Sequence, residues 1–332
     1  MIEVSAGVIR RQDGAVLICQ RGEGRHNAHL WEFPGGKREM GETAEGCLTR
    51  ELREELALPV TNVKPLCERV AEGIRFTFLT AETDAEPTLT EHEAAAFVPA
   101  RAMLRCAFCP ADEPVARALA LNEPPLRHFF WDFDGTLMDT YPMMTDAFVR
   151  AAGSMGVTVS RERTLNLLKE TLAHCANVIA SENGLDAAAL TAAFRREERM
   201  AEVTVLPGIP ETLKALGGHH YLVTHRNRAA LESLRGAGLL ALFDDFVTSE
   251  DGLPRKPEPD MLLHLIRKHG LNPAECVMIG DRPLDTASGR RAGMLSCLLD
   301  VEGRFPEDPC ELRARRAEDL ASLLRPGMPG AK

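Results

Sequence analysis

Two consecutive prolines, Pro124 and Pro125, divide this chain into stretches that share no residue pattern. A proline fixes its own φ and donates no backbone hydrogen bond. The segment Asn122–Leu126 therefore ends the helical periodicity of Val115–Leu121 and forms a short, stiff connection. With 332 residues the chain also exceeds one ordinary core, so two domains are expected, over residues 1–122 and 128–332, with 123–127 as linker. The formal charge of −10 argues against a nucleic-acid polymer or an anionic membrane as the main partner. No apolar run reaches the roughly 18 residues of a membrane span, and Met1-Ile2-Glu3-Val4 does not read as a signal peptide. Nine cysteines at irregular spacing suit a reducing cytoplasm, and the isolated pair Cys106 and Cys109 reads as small buried side chains rather than a zinc site. The oligomeric state stays open.

In the first stretch, Ile2–Arg10 and Ala15–Gln20 flank Asp13-Gly14 and predict a hairpin, and Val63–Arg69 and Ile74–Ala81 predict further strands. Thr43–Leu58 predicts a helix, with Cys47, Leu48, Leu52 and Leu56 at helical spacing. On that helix Glu51, Glu54 and Glu55 stand at i, i+3 and i+4, where like charges repel by about a few tenths of a kcal/mol per pair. A divalent cation converts the repulsion into coordination, and oxygen ligands suit Mg²⁺ or Mn²⁺; a solvated acidic face is the alternative. Ahead of the helix, Gly35-Gly36 lets backbone approach a ligand, and Glu42 follows six residues after Gly36.

The run from Gly36 to Leu58 reads G-x5-E-x7-R-E-L-x-E-E-x-A-L and resembles the Nudix box, with Ala57 where that family has glycine. A left-handed helix cap there costs alanine on the order of 1 kcal/mol. Trp31–Lys37 is similar to the MutT-like branch, which hydrolyses nucleoside triphosphates. The resemblance implies an α/β/α sandwich with metal ligands at Gly36, Glu51, Glu54 and Glu55, Glu54 also being catalytic and Arg50 orienting the carboxylates. It implies an acidic general base or further ligand at Glu91, with Glu93 in reserve, and phosphate and base contacts from Arg21 and His26. Phe108–Pro114 resembles the segment with which this branch recognises its base, which points to Asp112; a helix N-cap is the other reading of that residue.

After the prolines, His128–Trp131 is an apolar strand ending in Asp132-Phe133-Asp134-Gly135-Thr136. Two carboxylates at the carboxyl end of a buried strand stand where open α/β sheets bind ligands, and they require a neutralising cation. The motif resembles the first motif of the haloacid dehalogenase superfamily, and the later motifs follow in order. Thr224 ends the strand His220–Val223, Lys256 begins Lys-Pro-Glu-Pro, and Asp281 and Asp285 close a G-D-x3-D after Cys276–Gly280. The resemblance implies a doubly wound parallel sheet with a helical cap over about residues 138–205. It makes Asp132 the nucleophile and Asp134 the acid and base, binds phosphate at Thr224 and Lys256, and places Mg²⁺ at Asp132, Asp134, Asp281 and Asp285. His225, His174 and Arg195-Arg196 are possible substrate contacts, and Glu311–Leu324 is expected to form one last helix.

The two resemblances together imply a cytoplasmic bifunctional hydrolase acting on small-molecule nucleotide and phosphomonoester substrates. One half cuts a nucleoside triphosphate to monophosphate and pyrophosphate, and the other hydrolyses a phosphomonoester. The alternative assigns the first half to a nucleotide sugar or to nucleotide sensing, and the second to phosphoglycolate or a sugar phosphate.

Overall fold

The computed structural model describes residues 1–198 and 203–328. Residues 199–202, within the span expected for the helical cap, and residues 329–332 lie outside them. The chain forms two compact units, Met1–Pro125 joined by the segment from Arg325 onward, and Leu126–Leu324.

The first unit is built on a mixed sheet with β1 (Ile2–Arg10) at its centre. β2 (Val16–Gln20) and β4 (Gly35–Lys37) pair antiparallel to β1, and β3 (Trp31–Glu32) pairs with β2. Between β4 and the remaining strands comes α1 (Ala44–Leu56), followed by β5 (Thr61–Ala71), β6 (Ile74–Glu82) and β7 (Ala94–Val98). β6 runs parallel to β1, from Ile2↔Ile74 to Arg10↔Glu82, and the last helix is α2 (Glu113–Asn122). Alternation along the strands gives the sheet two apolar faces. Ile9, Leu17, Cys19 and Leu79 meet the stripe Cys47, Leu48, Leu52 and Leu56 of α1. Ala6, Val8, Ile18 and Phe78 meet Val115, Ala116 and Leu119 of α2 on the opposite face. The Thr43 hydroxyl accepts from the Gly46 N–H at 3.0 Å and starts α1; Ala57, at φ 48°, ends it in the expected left-handed cap.

In the second unit, β8 (His128–Trp131) leads to the short β9 (Met138–Asp139) and then to the helical insert. The insert holds α3 (Tyr141–Ser154), α4 (Arg161–Glu170), α5 (Leu172–Asn183) and α6 (Ala187–Glu197), and β10 (Thr204–Val205) returns antiparallel to β9. It has its own core around Phe148, Leu168, Ile179, Leu190 and Phe194, matching the cap expected there. The chain continues through α7 (Ile209–Leu216), β11 (His219–Val223), α8 (Ala229–Gly236), β12 (Asp245–Val247), α9 (Asp260–His269) and β13 (Cys276–Gly280). It closes with α10 (Pro283–Arg291), β14 (Leu295–Leu299), β15 (Leu312–Ala314) and α11 (Leu320–Leu324).

Among the described residues, six strands of this unit pair in parallel in the order β12-β11-β8-β13-β14-β15. Phe129, Phe130 and Trp131 are fully buried, as a central parallel strand covered on both faces requires. β8 lies between β11 and β13, where the winding reverses, so its carboxyl end opens into the switch-point crevice. The expected single helix over Glu311–Leu324 is not formed. Leu312 and Ala314 point into the core while Arg313 and Arg315 both reach Asp300, an alternation of period two that makes an edge strand instead.

Candidate active sites

Residues following three parallel strands meet at the carboxyl end of β8. Asp132 Oδ1 lies 2.6 Å from Lys256 Nζ, which lies 2.6 Å from Asp285 Oδ1 and donates to the Val223 carbonyl at 3.0 Å. Burial pulls the Lys256 ammonium down, but Asp132 and Asp285 together more than offset it and raise its pKa. Asp281 Oδ2 accepts from the Tyr141 hydroxyl at 2.7 Å; burial above all, with Asp132 and Asp285 adding, pushes Asp281 up to about 7. Gly135 sits at φ +68°, and a Cβ there would lie 2.4 Å from Asp281 Oδ2, so only glycine leaves room for that carboxylate.

One ligand atom from each of Asp132, Asp281 and Asp285 lies within 4.8 Å of the others. Asp132 Oδ2 and Asp281 Oδ1 are buried without a hydrogen-bond partner. An all-oxygen set in which these two carboxylate oxygens meet only the Arg282 guanidinium, at 3.7 and 3.5 Å, fits a hard divalent cation. Asp134 does not join this group. Its Oδ1 accepts from Arg226 Nε at 2.7 Å, so the expected fourth ligand carboxylate is held by a cation of the chain itself. Thr224 is fully buried at the end of β11, and its Oγ1 accepts from the Arg226 N–H at 3.1 Å.

The cavity above these residues has a volume of about 590 Å³. Asp134, Lys256, His225, Arg226, Arg255 and Arg282 line its core side; the insert contributes Met144, Leu168, Leu172 and Arg195. His225 is pushed down to about 2, by burial first and then by Lys256, Arg255 and Arg282, so it is neutral. His174 instead meets Glu170 on the cap. Sequence reasoning missed Tyr141, Arg226, Arg255 and Arg282; the position of Arg226 two residues after Thr224 was the available signal.

The helix α1 carries the second acidic site. Arg50 organises it, donating to Glu42 and Glu54 at 3.1 Å, to Glu51 at 2.9 Å and to the Lys37 carbonyl at 3.1 Å. A Cβ on Gly36 would lie 2.3 Å from the Glu51 carboxyl carbon, so the loop glycine admits that side chain. Glu51 and Glu55 are 14 % and 16 % exposed and line a cavity of about 450 Å³, whereas Glu54 is 58 % exposed and lies outside that lining. Burial above all, reinforced by Glu51, Glu91 and Glu32, pushes Glu55 up to about 7. Among the described residues these three glutamates do not gather within 4.8 Å as the aspartates do. An oxygen-rich set with a raised Glu55 still fits a divalent cation, which would replace the proton that Glu55 holds.

Gly36, Arg21, His26 and Asp112 line the same cavity. Arg21 donates to Glu32, and His26 is exposed beside Glu72. Asp112 stands at the start of α2 without capping it through its side chain; Oδ1 accepts from the Phe33 N–H at 3.1 Å. Burial pushes Asp112 up to about 7. Glu91 pairs with Arg25 and lines a small polar cavity of about 50 Å³ with Glu55 and His92; Glu93 pairs with His29. His92, 3.3 Å from Glu32 and 4.0 Å from Glu55, was not found from sequence because no motif position marks it.

Two cavities, one lined by Glu51, Glu55 and Arg21 and the other by Asp134, Lys256 and several arginines, are candidate hydrolase sites for phosphorylated substrates. The haloacid dehalogenase-like hydrolase family model matches residues 129–299, and the NUDIX domain model matches residues 1–119. The chain belongs to both families and is a bifunctional hydrolase, a Nudix domain followed by a haloacid dehalogenase-like hydrolase domain; both families are generally dependent on a divalent metal. It is 38 % identical over 129 residues to the 8-oxo-dGTP diphosphatase of Haemophilus influenzae, covering 37 % of this chain and 93 % of that one. It is 28 % identical over 214 residues to the pyrophosphatase PpaX of Bacillus pumilus, covering 61 % of this chain and 99 % of that one. A haloacid dehalogenase-like family hydrolase of Streptococcus pneumoniae superposes with a TM-score of 0.53 at 18 % identity, over 59 % of this chain and 97 % of that one, and shows the fold alone. Among the described residues no helix is long and apolar enough to cross a membrane.

Proposed function

We propose that the Nudix half hydrolyses a nucleoside triphosphate to monophosphate and pyrophosphate, and that the second half removes the remaining phosphate from that monophosphate. The observation that carries this reading is a pair of cavities of about 450 and 590 Å³, the first walled by Glu51, Glu55 and Asp112 with Arg21 and Arg25, the second by Asp134 with Lys256 and several arginines. The named activity of the Haemophilus relative, an 8-oxo-dGTP diphosphatase, supports the first reaction.

In the Nudix cavity Glu51, Glu55 and the Gly36 carbonyl would hold Mg²⁺ or Mn²⁺, with Glu54 at the rim and Arg50 fixing the geometry. A bound ion supplies charge neutralisation of the polyphosphate and a more acidic water. Glu54 and Glu91 are the carboxylates assigned to receive the proton of the attacking water. Arg21 and His26 bind phosphate and nucleoside, and Asp112 reads the base with the oxygen that the Phe33 N–H does not occupy. In the second cavity Asp132 attacks phosphorus, Thr224 and Lys256 hold the phosphoryl oxygens, and Asp281 and Asp285 complete the metal site. Asp134 protonates the leaving group and then takes a proton from the water that hydrolyses the aspartyl phosphate.

The clustered Arg195, Arg255 and Arg282 favour a second reading for this cavity, a smaller phosphate ester or anhydride bearing another anionic group. Pyrophosphate and phosphate release across a nucleotide panel with Mg²⁺, followed by phosphoglycolate, sugar phosphates and pyrophosphate, distinguishes the two. A panel in which no triphosphate yields pyrophosphate would remove the Nudix assignment.

A further inference from the structure

The proposed phosphatase chemistry uses Asp134 as a proton carrier, and a proton carrier must be held in a fixed orientation towards the leaving group. Its neighbour is Arg226, which bridges two carboxylates. Nε donates to Asp134 Oδ1 at 2.7 Å and Nη1 donates to Glu198 Oε1 at 2.8 Å. The side chains of Arg226, Asp134 and Glu198 are 8 %, 13 % and 9 % exposed, so solvent screens the bridge little. Its two ends belong to different parts of the unit. Asp134 lies in the loop after β8, whereas Glu198 follows α6 at the end of the cap insert and also pairs with Arg195 at 2.7 Å. One planar guanidinium therefore grips the cap with one arm and Asp134 with the other.

We propose that Arg226 is a positioning residue through which a closed cap orients Asp134 for proton transfer; the inference rests on the phosphatase reading above. In the first step an Asp132 oxygen bonds to phosphorus, the bond from phosphorus to the leaving oxygen breaks, and that oxygen takes the proton from Asp134. In the second step water attacks the aspartyl phosphate, its proton goes to Asp134, and Asp132 is released with inorganic phosphate. Asp134 thus alternates between acid and carboxylate. An Arg N–H donates to a carboxyl oxygen in both forms, so Arg226 holds Oδ1 throughout and leaves Oδ2 to carry the mobile proton. When the cap is away, Glu198 no longer fixes the guanidinium, and the orientation of Asp134 is lost with it. Proton transfer is thereby tied to the closed, water-poor state of the site.

Leaving-group dependence separates this role from ordinary structural support. An alkoxide leaves only with a proton, whereas a nitrophenolate leaves without one. The experiment measures kcat/KM of the full chain with Mg²⁺ for a nucleoside 5′-monophosphate and for p-nitrophenyl phosphate, with circular dichroism to confirm folding. Arg226→Lys should lower the rate on the alkyl ester by about 10²-fold and that on the aryl ester by less than about tenfold. Glu198→Gln, which leaves Arg226 in place, should act in the same direction with a selective loss of roughly tenfold. Equal losses on both esters in folded variants would overturn the inference while leaving the phosphatase reading intact. A wild-type enzyme that releases phosphate from neither ester would overturn that reading and the inference with it.

Discussion

The two acidic sites solve one electrostatic problem with countercharges drawn from very different distances along the chain. On α1 Glu54 is exposed while Glu51 and Glu55 are largely buried, and Arg50 of the same helix joins Glu42, Glu51 and Glu54, at most eight residues from itself. At the end of β8 the aspartates are buried, and Lys256, 124 residues along the chain from Asp132, neutralises two of them. A cluster of this kind is assembled locally and leaves Glu54 exposed. A buried cluster needs long-range contacts and excludes water, which suits a covalent phosphoryl intermediate that must not hydrolyse early.

The comparison breaks most visibly at Asp132. Asp132→Asn should lower phosphate release by at least about 10⁴-fold, because an amide is a poor nucleophile towards phosphorus, while pyrophosphate release stays within about twofold. Assaying both products on one preparation checks it; a parallel fall in both, with folding intact, would mean the sites are not independent. At the α1 site, Glu55→Gln should lower pyrophosphate release by about 10³-fold, through loss of a ligand charge. The more exposed Glu54→Gln should cost less, and metal titration of each variant should rank them in that order. Arg50→Lys keeps the charge but loses the fork that spans three carboxylates, so a fall of about 10- to 100-fold is expected, with weaker metal affinity.

The smallest effects concern Asp112. Asp112→Ala should blur discrimination among bases by roughly ten- to hundredfold while slowing the best substrate less, as measured by kcat/KM across triphosphates. Its pKa is raised to about 7, so the folded chain holds that proton more tightly than the unfolded chain does. The position therefore favours folding at acid pH, and this contribution is lost as pH rises from the ordinary carboxylate range through about 7. Asp112→Asn removes the titration, so its stability relative to wild type should increase between pH 5 and 8. The gain is roughly 1.4 kcal/mol for every tenfold by which folding tightens proton binding at this carboxyl. Urea unfolding of the Nudix unit at the two pH values measures this, and a constant difference would contradict the assignment.

Local physics made much of this legible in the chain. The helical stripe of α1, its three glutamates and the left-handed Ala57 all depend on neighbours within one or two turns. The strands before Asp132, Thr224 and Asp281 were equally visible, because buried parallel strands are continuously apolar, whereas β12 ahead of Lys256 was not foreseen. What escaped depends on distant partners. Asp134 and Arg226 are 92 residues apart, and His92 reaches Glu32 across 60, so neither contact leaves a local trace. The edge strand Leu312–Ala314 is too short for its alternation to outweigh the helix-forming residues that follow it.

Under the proposed function, two independent sites act in sequence on one nucleotide. The most direct test follows the best triphosphate through wild type and Asp132→Asn, counting pyrophosphate, phosphate, monophosphate and nucleoside. Wild type should release one pyrophosphate and then one phosphate per nucleoside formed, and the variant should stop at the monophosphate. If wild type also stops at the monophosphate, and its phosphatase instead prefers phosphoglycolate, a sugar phosphate or pyrophosphate, the sequential pathway is wrong.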